Sequence, residues 1–207
     1  MHRIRTIVAG TVGLLLSATA VGAQGTGSRP FDIGLLGGAA IPVGDLADEE
    51  KGNASVGFAL AGFVGFRISE TSPIKLRAEV GYNRFGSEIP EDDEIPVGDV
   101  DANWSITSVT GNAVFMVPTQ GGARPYLIGG LGWYQAKFSA EAMGLELSIK
   151  ESGIGFNGGA GIEFPLSGLT TFIEARFHTV KIDAEDDEEG PTDARLSFVP
   201  ITFGIRF

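Results

Sequence analysis

From about residue 30 to the C-terminus, apolar and polar side chains alternate with a period of two, and clusters of turn residues break the alternation at regular intervals. Successive side chains of a β-strand point to opposite faces, so this pattern predicts strands rather than helices. Eight are predicted, over 30–41, 54–68, 74–87, 102–117, 125–140, 147–164, 170–182 and 194–207. Each is longer than the ~9–11 residues with which a tilted strand crosses a bilayer.

The two faces separate well. In 74–82, Lys75, Arg77, Glu79 and Gly81 oppose Leu76, Ala78, Val80 and Tyr82. In 172–180, Glu174, Arg176 and His178 oppose Ile173, Ala175 and Phe177. The last strand sets Thr202, Gly204 and Arg206 against Ile201, Phe203, Ile205 and Phe207. Strand 125–140 leaves its faces open, because Leu127, Leu131 and Trp133 share one with Gln135 and Lys137.

A membrane barrel turns its apolar face outward and its polar face inward, and a soluble barrel does the reverse. The polar faces mix charge signs at close spacing, as in Arg77 beside Glu79, which suits burial because buried charges need partners. Glycine and alanine dominate the remaining polar-face positions and leave room for long side chains in a narrow lumen. The predicted lumen network is Arg67, Lys75, Arg77, Glu79, Glu163, Glu174, Arg176 and Arg206. Pro200 cannot donate to a ladder and predicts a bulge in strand eight. Arg84, on the apolar face of strand three, predicts a side chain that snorkels near the rim.

The connections are asymmetric. Those after odd strands, at 42–53, 88–101, 141–146 and 183–193, carry 20 of the 26 acidic residues, whereas the shorter ones after even strands carry only Glu70. An even number of antiparallel strands places both termini beside the short turns, the layout of outer-membrane barrels. Phe66, Tyr82, Trp104, Tyr126, Tyr134 and Phe207 lie near strand ends and predict aromatic girdles at the membrane interfaces.

Composition narrows the chemistry. The 207 residues include 31 glycines and no cysteine, so disulfides, thiolate metal sites and cysteine nucleophiles are excluded. A net charge of −11 argues against a nucleic-acid partner. Residues 1–23 read as a cleaved secretory signal: a basic start at Arg3 and Arg5, an apolar stretch from Ile7 to Leu16, and a small-residue site at Val21-Gly22-Ala23. A cut after Ala20 is the alternative. Removing Arg3 and Arg5 leaves 13 basic against 26 acidic residues, a charge of −13 for the barrel domain at 24–207.

The stretches LRAEVGYNRF (76–85), RPYLIGGLGWY (124–134), GFNGGAGIEF (155–164), TFIEARFH (171–178) and the ending ITFGIRF together resemble small outer-membrane β-barrel proteins of the OmpA/OmpX-like type. The resemblance spans about 30–207 and implies an all-β, eight-stranded antiparallel up-and-down transmembrane barrel in the outer membrane of a Gram-negative-type bacterium. It also implies that Phe207 serves as a signal to the barrel assembly machinery. No peptidoglycan-binding domain is expected beyond it.

Candidate chemistry is sparse. Gly153-Ile-Gly-Phe-Asn-Gly158 spells G-x-G-x-x-G, but strand alternation runs through it where a dinucleotide site needs a helix. His178, the sole histidine after residue 23, shares a face with Glu174 and reads as a hydrogen-bonded lumen residue, with half of a hydrolase constellation as the sharper alternative. The tracts Glu91-Asp92-Asp93-Glu94 and Glu185-Asp186-Asp187-Glu188-Glu189 read as solvated loops, with weak Ca²⁺ or Mg²⁺ binding that bridges to lipopolysaccharide as the functional alternative.

The expected function is therefore that of a non-enzymatic, monomeric surface barrel without a resident cofactor, acting in envelope integrity or surface interaction. Its partners would be outer-membrane lipid and lipopolysaccharide. A narrow cation-preferring pore is the runner-up, since loop carboxylates would concentrate cations at its mouth. A lipid- or peptide-acting barrel enzyme and a soluble lipocalin-like barrel stand behind it.

Overall fold

Alternation becomes geometry in eight antiparallel strands: β1 (Phe31–Val43), β2 (Gly57–Arg67), β3 (Ile74–Ser87), β4 (Asp101–Met116), β5 (Arg124–Ala142), β6 (Leu145–Leu166), β7 (Leu169–Ala184) and β8 (Thr192–Arg206). A computed structural model describes residues 31–49, 51–87, 101–142, 145–184 and 192–207. Each strand pairs with its sequence neighbours, and β8 returns to β1, which closes the barrel and removes every free edge.

Register fixes the shape. A hydrogen-bonded row that starts at Ile33 passes through Val64, Ala78, Gly111, Leu131, Phe156, Thr179 and Ser197 and returns to β1 at Val43, ten residues further along. A stagger of ten over eight strands, with ~3.3 Å rise and ~4.8 Å spacing, tilts the strands by roughly 40°. The row therefore climbs about 1.25 residues per strand toward the end that carries the long loops.

The outward face is apolar. Ile33, Leu35, Leu60, Val80, Leu127, Leu131, Phe156, Ile173 and Phe203 all stand exposed, while Arg77, Glu79, Glu174 and Arg176 are buried inside. A water-soluble barrel would invert this arrangement, so the lipocalin-like reading falls. Strand β5 resolves the same way: Leu127, Leu131 and Trp133 face out, and Tyr126, Ile128 and Tyr134 face in.

Four expectations need correction. Residues 54–56 lie outside β2, with Ala54 held by an isolated bridge to Ser87, and a 3-10 turn at Gly44–Leu46 follows β1 and buries Leu46 in the barrel mouth. The connection expected at 141–146 is mostly ladder, which runs on to Ala142 opposite Leu145. Pro200 causes no bulge: the β7–β8 register is the same at Ala175↔Ile201 and at His178↔Phe198, and pairing simply lapses between them while Ala40↔Pro200 persists on the β1 side. The missing N–H thus costs one stretch of one ladder. Finally, Trp104, Tyr126 and Tyr134 belong to the interior, so of the six girdle aromatics only Phe66, Tyr82 and Phe207 face outward.

Candidate functional site

The lumen is where sequence concentrates buried polarity, and it is layered from the short-turn end to the loop end. Nearest the short turns, Glu163 accepts both guanidinium nitrogens of Arg206, one at 3.0 Å. Asp32 lies 3.5 Å from Arg206 Nε and Lys75 Nζ lies 4.0 Å from Glu163. Two acids balance two bases. Arg67 stands exposed on the lumen face at this rim, and Asp32 takes part unforeseen.

Above them Arg77, Glu79, Arg176 and Glu174 alternate around a ring. Arg77 donates to Glu79 and, at 2.8 Å, to Glu174; Arg176 donates to Glu79 and lies 2.8 Å from Glu174. Tyr126 adds a hydroxyl donor to Glu174 at 2.7 Å. Arg77 also covers the Phe63 ring, 3.9 Å from guanidinium carbon to centroid, and that ring meets Phe172 edge-on. All four charged groups are at most 6% exposed. Neutrality is what allows this burial, because an isolated ion would have to give up its hydration without return.

Next come His178 and Tyr134, which share a hydrogen bond of 3.0 Å, with the imidazole stacked on Phe198 at 4.9 Å. His178 is thus the hydrogen-bonded lumen residue expected, and Glu174 is taken up by two arginines and a tyrosine, so the alternative Glu174–His178 pairing does not form. At the loop end an apolar layer of Phe85, Ile106, Val180, Leu196, Phe198 and Leu46 fills the bore. Trp104 packs against it and donates its indole N–H to the Gly52 carbonyl at 2.9 Å. Beyond the strands, Lys51 bonds Asp45 at 2.7 Å and holds that carboxyl below the usual carboxylate range. The pair is solvent-screened and adds little.

Free space beside the lower charged layers is small. The cavity bounded by Asp32, Lys75, Arg77, Tyr126, Glu163 and Arg206 measures about 20 Å³, room for roughly one water molecule. Arg77 Nε, Arg176 Nη1 and His178 Nε2 retain unused hydrogen-bonding capacity within the chain. The acidic tracts at 91–94 and 185–189 lie outside the described residues.

Sequence reasoning missed the apolar layer and the tyrosines. The signal was parity: Phe85 has the parity of Glu79, Phe198 that of Thr202, and Tyr126 and Tyr134 the parity opposite to Leu127 and Trp133.

Solved barrels share this architecture. Neisserial surface protein A superposes with a TM-score of 0.60 at 17% identity, over 87% of this chain and 97% of that one. Ail, the attachment invasion locus protein of Yersinia pestis, solved with the heparin analogue sucrose octasulfate, gives 0.52 at 17% identity over 86% and 100%. A major outer membrane protein of Thermus thermophilus gives 0.54 at 11% identity over 86% and 99%. No curated protein sequence matches the chain. The family described as outer membrane protein beta-barrel domain matches residues 11–207, and with its closed barrel and apolar outer wall the chain belongs to that family.

Proposed function

We propose that this chain is a closed, non-enzymatic barrel of the outer membrane whose lumen is a structural plug and whose work is done at the envelope surface. One observation carries this reading: a neutral ring of Arg77, Glu79, Arg176 and Glu174 spans the bore beneath an apolar layer, with a cavity of about 20 Å³ on its short-turn side. Water and ions need a continuous polar path, and two consecutive layers interrupt it.

The loops supply the surface chemistry. They carry most of the acidic residues, including the tracts at 91–94 and 185–189. A sulfated sugar such as the one bound to Ail would meet repulsion there, so a basic partner, or an anionic one bridged by Ca²⁺ or Mg²⁺, fits this chain better. Export through a cleaved segment at 1–23 completes the proposal.

Planar-bilayer conductance of the refolded chain tests it, after an unboiled-versus-boiled gel shift has established folding. Electrical silence is expected. Discrete cation-selective steps that change in a Glu79→Gln variant would replace the plug with a gated pore.

A further inference from the structure

The lumen face carries apolar side chains past the mouth of the barrel. One register row on that face runs from Phe85 through Trp104 and Phe138 to Ile149, across β3 to β6. Exposure rises along it, from 0% at Phe85 to 63% at Ile149. The β5–β6 hairpin is the cause. Among the described residues β6 pairs with β7 only from Gly155↔Val180 onward, and Ile149 lies six residues beyond that pair. Leu147, next on the same face, is 74% exposed. Large apolar side chains gathered outside a core mark a surface that binds something.

A cleft of about 390 Å³ opens against this row. Trp104 and Phe138, with centroids 5.0 Å apart and planes tilted by 50°, line it together with Ile149. The β1–β2 connection supplies more of the lining, from Glu49 to Asn53, and bonds hold that segment in place. Trp104 donates to the Gly52 carbonyl at 2.9 Å, and Ser87 donates to the Asn53 carbonyl at 3.0 Å. The cleft is therefore formed before a ligand arrives, and its volume falls in the range of small-molecule sites.

Its charge has one sign. Glu49 and Glu151 both line it and both stand exposed, and among the described residues neither has a cationic partner. Lys51 also lines it, but Asp45 holds that ammonium at 2.7 Å. Lys137 and Lys150 have the opposite parity to Phe138 and Ile149 and belong to the outer face. Glu50 and the segments 88–100, 143–144 and 185–191 contain twelve acidic residues and no lysine or arginine, so they add no opposing charge.

We propose that this cleft binds a small organic cation, a substituted ammonium on an apolar body. The charge lies toward Glu49 and Glu151, and the body lies against Trp104, Phe138 and Ile149. Aromatic faces and carboxylates favour the same ligand, because both attract a cation and a bulky ammonium gives up little hydration to reach them. A neutral ligand leaves the carboxylates unused, and an anion meets repulsion. The assignment rests on the basic-partner reading above and gives it a ligand class and a place.

The chain has two tryptophans, and Trp133 stands on the outer wall. A Trp133→Phe background therefore leaves Trp104 as the reporter, in protein refolded into phosphatidylcholine vesicles and checked by gel shift. Benzyltrimethylammonium should change Trp104 fluorescence saturably, at about 10-fold lower concentration than the neutral N-benzylacetamide, and phenylacetate should not compete. Glu49→Gln with Glu151→Gln should weaken the cation about 5- to 20-fold, and Phe138→Leu about 2- to 5-fold. Equal binding of the cation and the neutral amide, or an unchanged affinity in the glutamine variant, overturns the proposal. Should the double variant not fold, Glu151→Gln alone reads the same contrast, at about 2- to 5-fold. Polylysine binding, measured in parallel, separates this site from the broader reading: polymer bound without benzyltrimethylammonium overturns the cleft alone, and loss of both overturns the two together.

Discussion

Glu174 is 1% exposed, accepts hydrogen bonds from Arg77 on β3 and Tyr126 on β5, and forms an ion pair with Arg176 on its own strand. Its replacement by glutamine would leave two guanidiniums facing one carboxylate in a space without bulk water. Breaking a buried pair from one side costs about 3–5 kcal/mol, so Glu174→Gln should lower the unfolding free energy in lipid vesicles by that order. Tyr126→Phe removes one hydrogen bond to a charged group and should cost less, about 1.5–3 kcal/mol. A second change that restores neutrality, Glu174→Gln with Arg176→Met, should recover much of the loss. Urea titration of the three variants checks the order, and equal losses for Tyr126→Phe and Glu174→Gln would mean that net charge does not govern the plug. The buried ring of Arg77, Glu79, Glu174 and Arg176 was legible from parity, because charge on the glycine-rich face of a long strand has only the lumen to enter. The exposure of Arg67 was not legible, because parity gives the face of a residue and not its depth, and at a strand end the same face opens to solvent.

At the scale of elements, strand number and order were legible because each strand repeats its alternation for longer than a bilayer crossing. What alternation cannot show is how strands share interior volume. Gly204 on β8 faces the Phe172 ring of β7, and a Cβ built there would meet ring carbons of Phe172 at 2.6 Å. That ring in turn supports Phe63, on which Arg77 lies. Gly204→Ala must therefore move a buried phenylalanine and should destabilise by about 1–3 kcal/mol. Gly111 on β4 points outward with nothing within 4 Å, and glycine only weakens a strand interior, so Gly111→Ala should be neutral or stabilising. Heat-modifiability gels on the two variants separate them; a loss at Gly111 equal to that at Gly204 would show that glycine matters here for chain flexibility and not for the space it leaves. Pro200 teaches the same limit. Its consequence depended on which neighbour lost the bond, and only the register of β8 against both β7 and β1 decides that.

For the whole molecule, closure depends on the seam where the first strand meets the last, and Phe207 sits at its end. Its amide donates to the Ile33 carbonyl at 2.9 Å and its carbonyl accepts from the Ile33 amide at 3.3 Å, while its ring stands 59% exposed on the outer wall. Backbone and side chain thus have separable roles. The backbone bonds tie the seam whatever the side chain is, so alanine at this position leaves them in place. The ring contributes only the burial of an aromatic side chain in lipid, of which a rim position realises part, about 1–2 kcal/mol at most. If Phe207 is also read as an assembly signal, as its resemblance to other barrel endings implies, Phe207→Ala should refold in vesicles with nearly parental stability. The same variant should nevertheless reach the outer membrane of cells in several-fold lower amount, measured by fractionation and the unboiled gel band. A parallel fall in both settings would assign the ring to lipid anchoring, and parental levels in both would remove it from assembly altogether. The contrast works because recognition acts on an unfolded chain and seam closure on a folded one, and a single residue that takes part in both can be divided only by measuring each alone.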